Sequence, residues 1–313
     1  MASPSQAPDV GVTRRRSRPG ERVVIGLLLA CAVASILVTV GIVAVLAGEA
    51  LRFFAEVSVF DFLTGTRWAP VGGRIEGGDF GVLPLVNGSL MIAAGSLLVG
   101  LPLGLATAIY LSEYAGPRVR GVIKPTLEVL AGVPTVVVGF FALNFITPHL
   151  LRPLFGEERV FIFNAAAGAV AVGLMILPVI ASISEDAMRA VPASLREAAF
   201  GMGATKRVVA LRVVVPAALS GIAASTILGV SRAVGETMAV TIAAGNTPRL
   251  TTDFFDSIQT LTAYIAQTVS GEAAAGTTRY QSLFAVGATL FVITLGMNML
   301  SMRLVRRYRQ TYQ

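Results

Sequence analysis

The sequence predicts an all-α integral membrane protein that crosses the bilayer about six times, and three observations predict it. Of 313 residues, 54% are hydrophobic and only 14% charged, with a mean hydropathy of +0.74, whereas an ordinary soluble domain carries roughly 25% charged residues. The apolar residues come in runs of 20 or more, which at ~1.5 Å per residue are long enough to span the ~30 Å hydrocarbon core of a membrane. The basic residues behind the net charge of +7 and the pI near 10.2 stand beside those runs. They are not interleaved with aromatics on a polar face, so membrane topology accounts for them and nucleic-acid binding does not.

Residues 1–22 are rich in Pro, Ser and Arg and lack apolar periodicity, the composition of a disordered cytoplasmic tail. The first transmembrane helix is expected over 23–47. That run of 25 residues exceeds the roughly 7 to 15 of a secretory signal core, so an uncleaved anchor is expected. Residues 48–88 form an extracytoplasmic connector carrying FLTGTRWAP and GGRIEGGDFG, where Trp68 and Phe80 are candidate interface anchors. The permease core is expected over 89–305, with spans at 89–110, 126–146, 164–183, 217–244 and 283–302. A long charged loop at 185–216 and a polar loop at 245–282 interrupt it, and a short cytoplasmic tail at 306–313 closes the chain.

With the N-terminus inside, 17 basic residues fall on cytoplasmic segments and 7 outside, with Arg232 inside a span. That bias puts both termini in the cytoplasm. Several spans contain small or helix-breaking residues: Gly100, Pro102 and Gly104; Gly132, Pro134 and Gly139; and Pro178. Two readings stay open for them, close helix packing and broken helices lining a polar pathway.

The composition argues against catalysis. Cys31 is the only cysteine and His149 the only histidine, so no disulfide framework or Cys/His metal set is expected. The two lysines, Lys124 and Lys206, precede Pro125 and Arg207, whereas a phosphate-binding P-loop needs Ser or Thr after its lysine. No cofactor is expected in this chain. If it transports actively, ATP and Mg must be bound by a partner ATPase.

The loop 185–216 carries a spaced motif. Glu197, Ala198 and Ala199 are followed after three residues by Gly203 and after nine more by Val213, Val215 and Pro216. Ser194 stands three residues before Glu197 as in a capping box. The two alanines favour helix and keep one face small, and Gly203 can end that helix with a sharp turn. Pro216 would mark the return into the bilayer. The fifth run holds Arg232 and Glu236 in SRAVGETMAV. A charge there costs roughly 2.5 to 3.5 kcal/mol on insertion scales and so requires a partner or a wet cavity. The i, i+4 spacing puts both on one helical face, where each can neutralise the other. Arg232 could equally meet an oxyanion with its planar fork of donors, and Ser231, Thr237 and Thr241 could add hydroxyls.

The loop motif resembles the EAA loop of bacterial ABC importer permeases, with Val213 and Val215 where Ile and Leu are usual. Together with NGSLMIAAGSLLVGLPLGLATAIYLSEYA at 87–115, AGVPTVVVGFFAL at 131–143, LMILPVIASISEDAMRAVP at 174–192 and SRAVGETMAV, the chain resembles the phosphate-specific ABC importer permeases, PstC-type subunit. That resemblance implies a type I ABC importer permease fold in the bacterial inner membrane. It also implies a heterodimer with a PstA-like permease, two ATPase subunits docking on the Glu197 loop, and an extracytoplasmic phosphate-binding protein. In such permeases the Arg and Glu of this span are tied to phosphate transport, which carries over to Arg232 and Glu236. The rivals are a sulfate or molybdate permease of the same build and an ATP-independent transporter or channel.

Overall fold

The structure is a computed structural model that describes residues 19–70, 78–271 and 276–308. Most of the expected tail (1–18), the GGRIEG part of the connector and the end of the chain (309–313) lie outside the described residues. Residues to Gly48 and from Glu49 form two compact units.

Helix α1 (Pro19–Glu56) contains the first apolar run, and its side chains up to Ala47 are almost all exposed. It continues to Glu56, so the start of the expected connector is helical. Helix α2 (Val59–Thr64) follows, capped by the Ser58 hydroxyl. A short antiparallel pair, β1 (Trp68–Ala69) and β2 (Asp79–Phe80), comes next. Trp68 and Phe80 do not anchor at a lipid interface: they are 3% and 7% exposed, in an aromatic core with Phe53, Phe62 and Tyr264. Trp68 meets Tyr264 edge-on at 4.8 Å between ring centres, the geometry that ring quadrupoles favour.

Helix α3 (Leu83–Ile109) runs on through a π-helical turn, Tyr110–Tyr114. Helix α4 (Pro117–Ala131) is amphipathic and buries none of its residues. A break at Gly132–Pro134 separates it from α5 (Thr135–Phe141), which continues through the π-helical Ala142–Leu151 into α6 (Arg152–Phe155). The third span is therefore Thr135–Phe155 and not 126–146. Helix α7 (Ala165–Arg189) is capped by the Asn164 side chain on the Ala167 amide.

Beyond it lie α8 (Ala193–Gly201), α9 (Lys206–Val208), the π-helical Val209–Val214, α10 (Val215–Ala217) and α11 (Leu219–Gly235). The fifth run is not one helix: it stops at Gly235 and resumes as α12 (Met238–Ala244). The expected polar loop holds α13 (Leu261–Ser270), capped by the Thr260 hydroxyl on the Ala263 amide. Helix α14 (Thr278–Tyr308) is last. Among the described residues five helices are long and apolar enough to cross a membrane, or six if Lys206–Ala217 and Leu219–Gly235, bent by 71° to one another, count as one span.

The bundle centres on α3 and α7, whose small residues settle most of the open reading in favour of packing. A methyl group on Gly100 would stand 2.6 Å from Ile176 Cγ1, and one on Gly173 2.8 Å from Val99 Cβ. Pro102 and Pro178 sit inside unbroken helices. Only Gly132 and Pro134 mark an interruption, while Gly139 lies against the α12 backbone at Ala239.

Candidate functional site: the α8 segment and the interrupted fifth span

Helix α8 begins at Pro192, not through a Ser194 cap; the Ser194 side chain makes no capping bond and is exposed. The helix nevertheless forms where expected, because a neighbouring arginine fastens it. Arg196 donates to the carbonyls of Met188 at 2.8 Å and Val191 at 2.6 Å, and its guanidinium pairs with Glu113 at 3.0 Å. One fork thus joins α8 to the end of α7 and to the π-turn after α3. The underside of α8, Leu195 and Ala199, packs against Ala108, Met188, Val191 and Val209. The two alanines of the motif divide their work: Ala199 is 5% exposed, while Glu197, Ala198 and Phe200 face outward.

Gly203 closes the helix as expected. Its φ of +81° lies in the left-handed region, where a side chain costs about 1–2 kcal/mol. The Gly203 amide donates to Phe200 O at 2.9 Å and the Ala204 amide to Ala199 O at 3.1 Å, the paired bonds of a Schellman ending. Pro216 falls in α10, two residues before the bend at Ala218.

The structure does not bring Arg232 and Glu236 together. Helix α11 ends at Gly235, and Glu236 is extended (ψ 130°), so the i, i+4 face needed for neutralisation does not exist. Glu236 is buried, its carboxylate accepting from the Ala239 amide at 3.2 Å and its carbonyl from the Thr262 hydroxyl at 2.9 Å. Half-buried Arg232 reaches only the Ala131 carbonyl, at 3.5 Å, and among the described residues no carboxylate pairs with it. Of the expected hydroxyl donors, Ser231 bonds Asn298, and Thr237 and Thr241 bond backbone carbonyls.

Sequence reasoning missed Glu185. Its carboxylate is fully buried near the end of α7 and accepts from Arg120 Nε and Lys124 Nζ, both at 2.8 Å, with Arg189 Nε at 3.7 Å. Lys124 also pairs with Asp186. Burial pushes the Lys124 ammonium down, but its hydrogen bonds to Asp186 and Glu185 outweigh this and hold it above its ordinary pKa. The signal present in the sequence is Arg120 and Lys124, two cations four residues apart and so on one helical face, which call for an anion between them.

A bundle of apolar helices with an interrupted span and a short outward-facing helix is the build of a multi-pass ABC importer permease subunit, the class to which comparison with known proteins assigns the chain. Residues 100–310 match the binding-protein-dependent transport system inner membrane component family, and the chain belongs to that family. It is 35% identical to the probable ABC transporter permease protein YqgH of Bacillus subtilis (86% of this chain, 85% of that protein). It is also 35% identical to the phosphate transport system permease protein PstC of Mesorhizobium japonicum (81% and 82%). The resemblance to PstC-type permeases is thereby shown. In fold, the chain is similar to a chain of a bacterial alginate ABC transporter solved with an alginate-bound periplasmic protein, with TM-score 0.65 at 15% identity over 95% of this chain and all of that one. It is also similar to a chain of the inward-facing MetNI methionine transporter, with TM-score 0.54 at 18% identity over 73% and 94%.

Proposed function

We propose that this chain forms, with a second PstA-like permease, the translocation pathway of an ATP-driven importer of inorganic phosphate. An extracytoplasmic phosphate-binding protein delivers the anion, and alternating access carries it inward. Two ATPase subunits hold ATP and Mg and press on α8, leaving this chain non-catalytic. Membrane lipid surrounds it, nucleic acid has no part, and both termini are cytoplasmic, as the distribution of basic residues favours. The observation that carries the phosphate reading is Arg232, a half-buried guanidinium in the fifth span without an acidic partner among the described residues. An unneutralised cation inside a bundle favours an anion there, and its planar donors match phosphate-like oxygens. Relatives named as phosphate permeases support the same reading. Glu236, whose carboxylate holds the start of α12, sets the backbone beside the pathway and opposes over-tight binding.

Uptake by the full complex in proteoliposomes tests this. Labelled phosphate enters with ATP inside and binding protein outside, and excess sulfate or molybdate does not compete. Entry of another oxyanion in place of phosphate overturns the substrate, and uptake without ATP overturns the ABC importer reading.

A further inference from the structure

We propose that Glu185 is a positioning residue that carries movement of α8 to Arg232 by way of α4; the proposal rests on the reading of α8 and Arg232 given above. Helix α4 has no buried residue, and Val122, Val129 and Leu130 on it are exposed. Apolar packing therefore does little to fix it, and the charges do more. Arg120 and Lys124 lie one turn apart on one face, and each donates to a different oxygen of the same fully buried carboxylate. Helix α4 cannot slide or roll against α7 without breaking one of these bonds and leaving a buried charge short of partners, which is costly.

The two ends of this clamp lead to the two functional segments. On one side, Glu185 sits about one helical turn before the residues that α8 grips directly, since Arg196 holds the Met188 and Val191 carbonyls. On the other, α4 ends at Ala131, whose carbonyl receives Arg232. Lys124 and Ala131 are seven residues apart, roughly 10 Å along a helix axis. The break at Gly132–Pro134 lets α4 move without dragging the whole third span. A displacement of α8 therefore moves the end of α7, and α4 with it, and loosens or tightens the contact between Arg232 and the Ala131 carbonyl. Contiguity alone does not establish such a route; a shared response of its parts does.

The test uses the reconstituted complex with its partner permease, ATPase and binding protein. Glu185→Gln is expected to lower phosphate imported per ATP hydrolysed by about tenfold, within the range of ordinary coupling energies. Amide hydrogen exchange across residues 118–131 gives a readout that simple packing would not move. It changes on vanadate trapping of nucleotide in the wild type, and that change is lost in Glu185→Gln. Should Glu185→Gln fail to assemble, Arg120→Gln and Lys124→Gln carry the same two measurements with the carboxylate in place. An unchanged import-to-hydrolysis ratio, or an α4 response identical in variant and wild type, overturns the proposal. If the wild type imports no phosphate but its α4 still answers to nucleotide in a Glu185-dependent way, the substrate assignment fails and the clamp stands.

Discussion

Arg232 and Glu236 show how far single residues can be read from a string of letters. Their types and their place in an apolar run identify them as costly and therefore significant, whatever the local backbone does. Their mutual geometry was not legible, because Glu236 leaves helical conformation directly after Gly235 and the spacing rule holds only on an unbroken helix. Because no carboxylate among the described residues pairs with Arg232, Arg232→Gln should leave the complex assembled, by size-exclusion chromatography, and reduce phosphate uptake at least about a hundredfold, the scale of losing a charge-assisted bond of roughly 3 kcal/mol. Undiminished uptake would return Arg232 to a packing role. Lys124 gives a pH prediction. Its pKa is raised in the folded protein, so its contribution to stability is fully present below its unfolded value of about 10.4 and is lost as pH rises through the folded value. Thermal scans should show the wild type losing stability relative to Lys124→Gln only above about pH 10. A difference constant to pH 11 would contradict that.

Helices were legible where apolarity and length decide, and illegible where a break decides. Hydropathy sees Thr126 to Ile146 as one run, yet Gly132 and Pro134 divide it, and α4 carries its charges at helical rather than spanning periodicity. Helix α13 escaped because its surroundings are polar, although Thr260 marks its start. The α8 motif was legible because it is a backbone requirement as much as a surface. A branched residue at Gly203, held at φ +81°, distorts the helix ending. Gly203→Val should therefore leave ATP hydrolysis intact while phosphate moved per ATP falls about tenfold. Normal stoichiometry would remove α8 from the coupling role. The α3–α7 seam makes a separate demand. Gly100→Ala places a methyl against Ile176 and the Gly173 carbonyl and should cost about 1–3 kcal/mol. Gly116→Ala, which meets nothing within 4 Å, should cost far less. Equal melting temperatures for the two variants would contradict the close contact.

For the molecule as a whole, about six spans of a permease follow from composition and apolar runs, whereas orientation follows from charge counting alone. A cysteine introduced at Glu197, in a Cys31→Ser background, should react with an impermeant maleimide only in inside-out vesicles; labelling from the external face would reverse the topology and detach α8 from any cytosolic ATPase. The glycine-lined contact between α3 and α7 then limits how such a bundle can change shape. Two helices that meet backbone to side chain without a spare methyl between them cannot shear, and they behave as a single slab. Any opening towards one side or the other is therefore expected where the chain leaves its helix, among them the places beside Gly132 and beside Glu236, which flank Arg232.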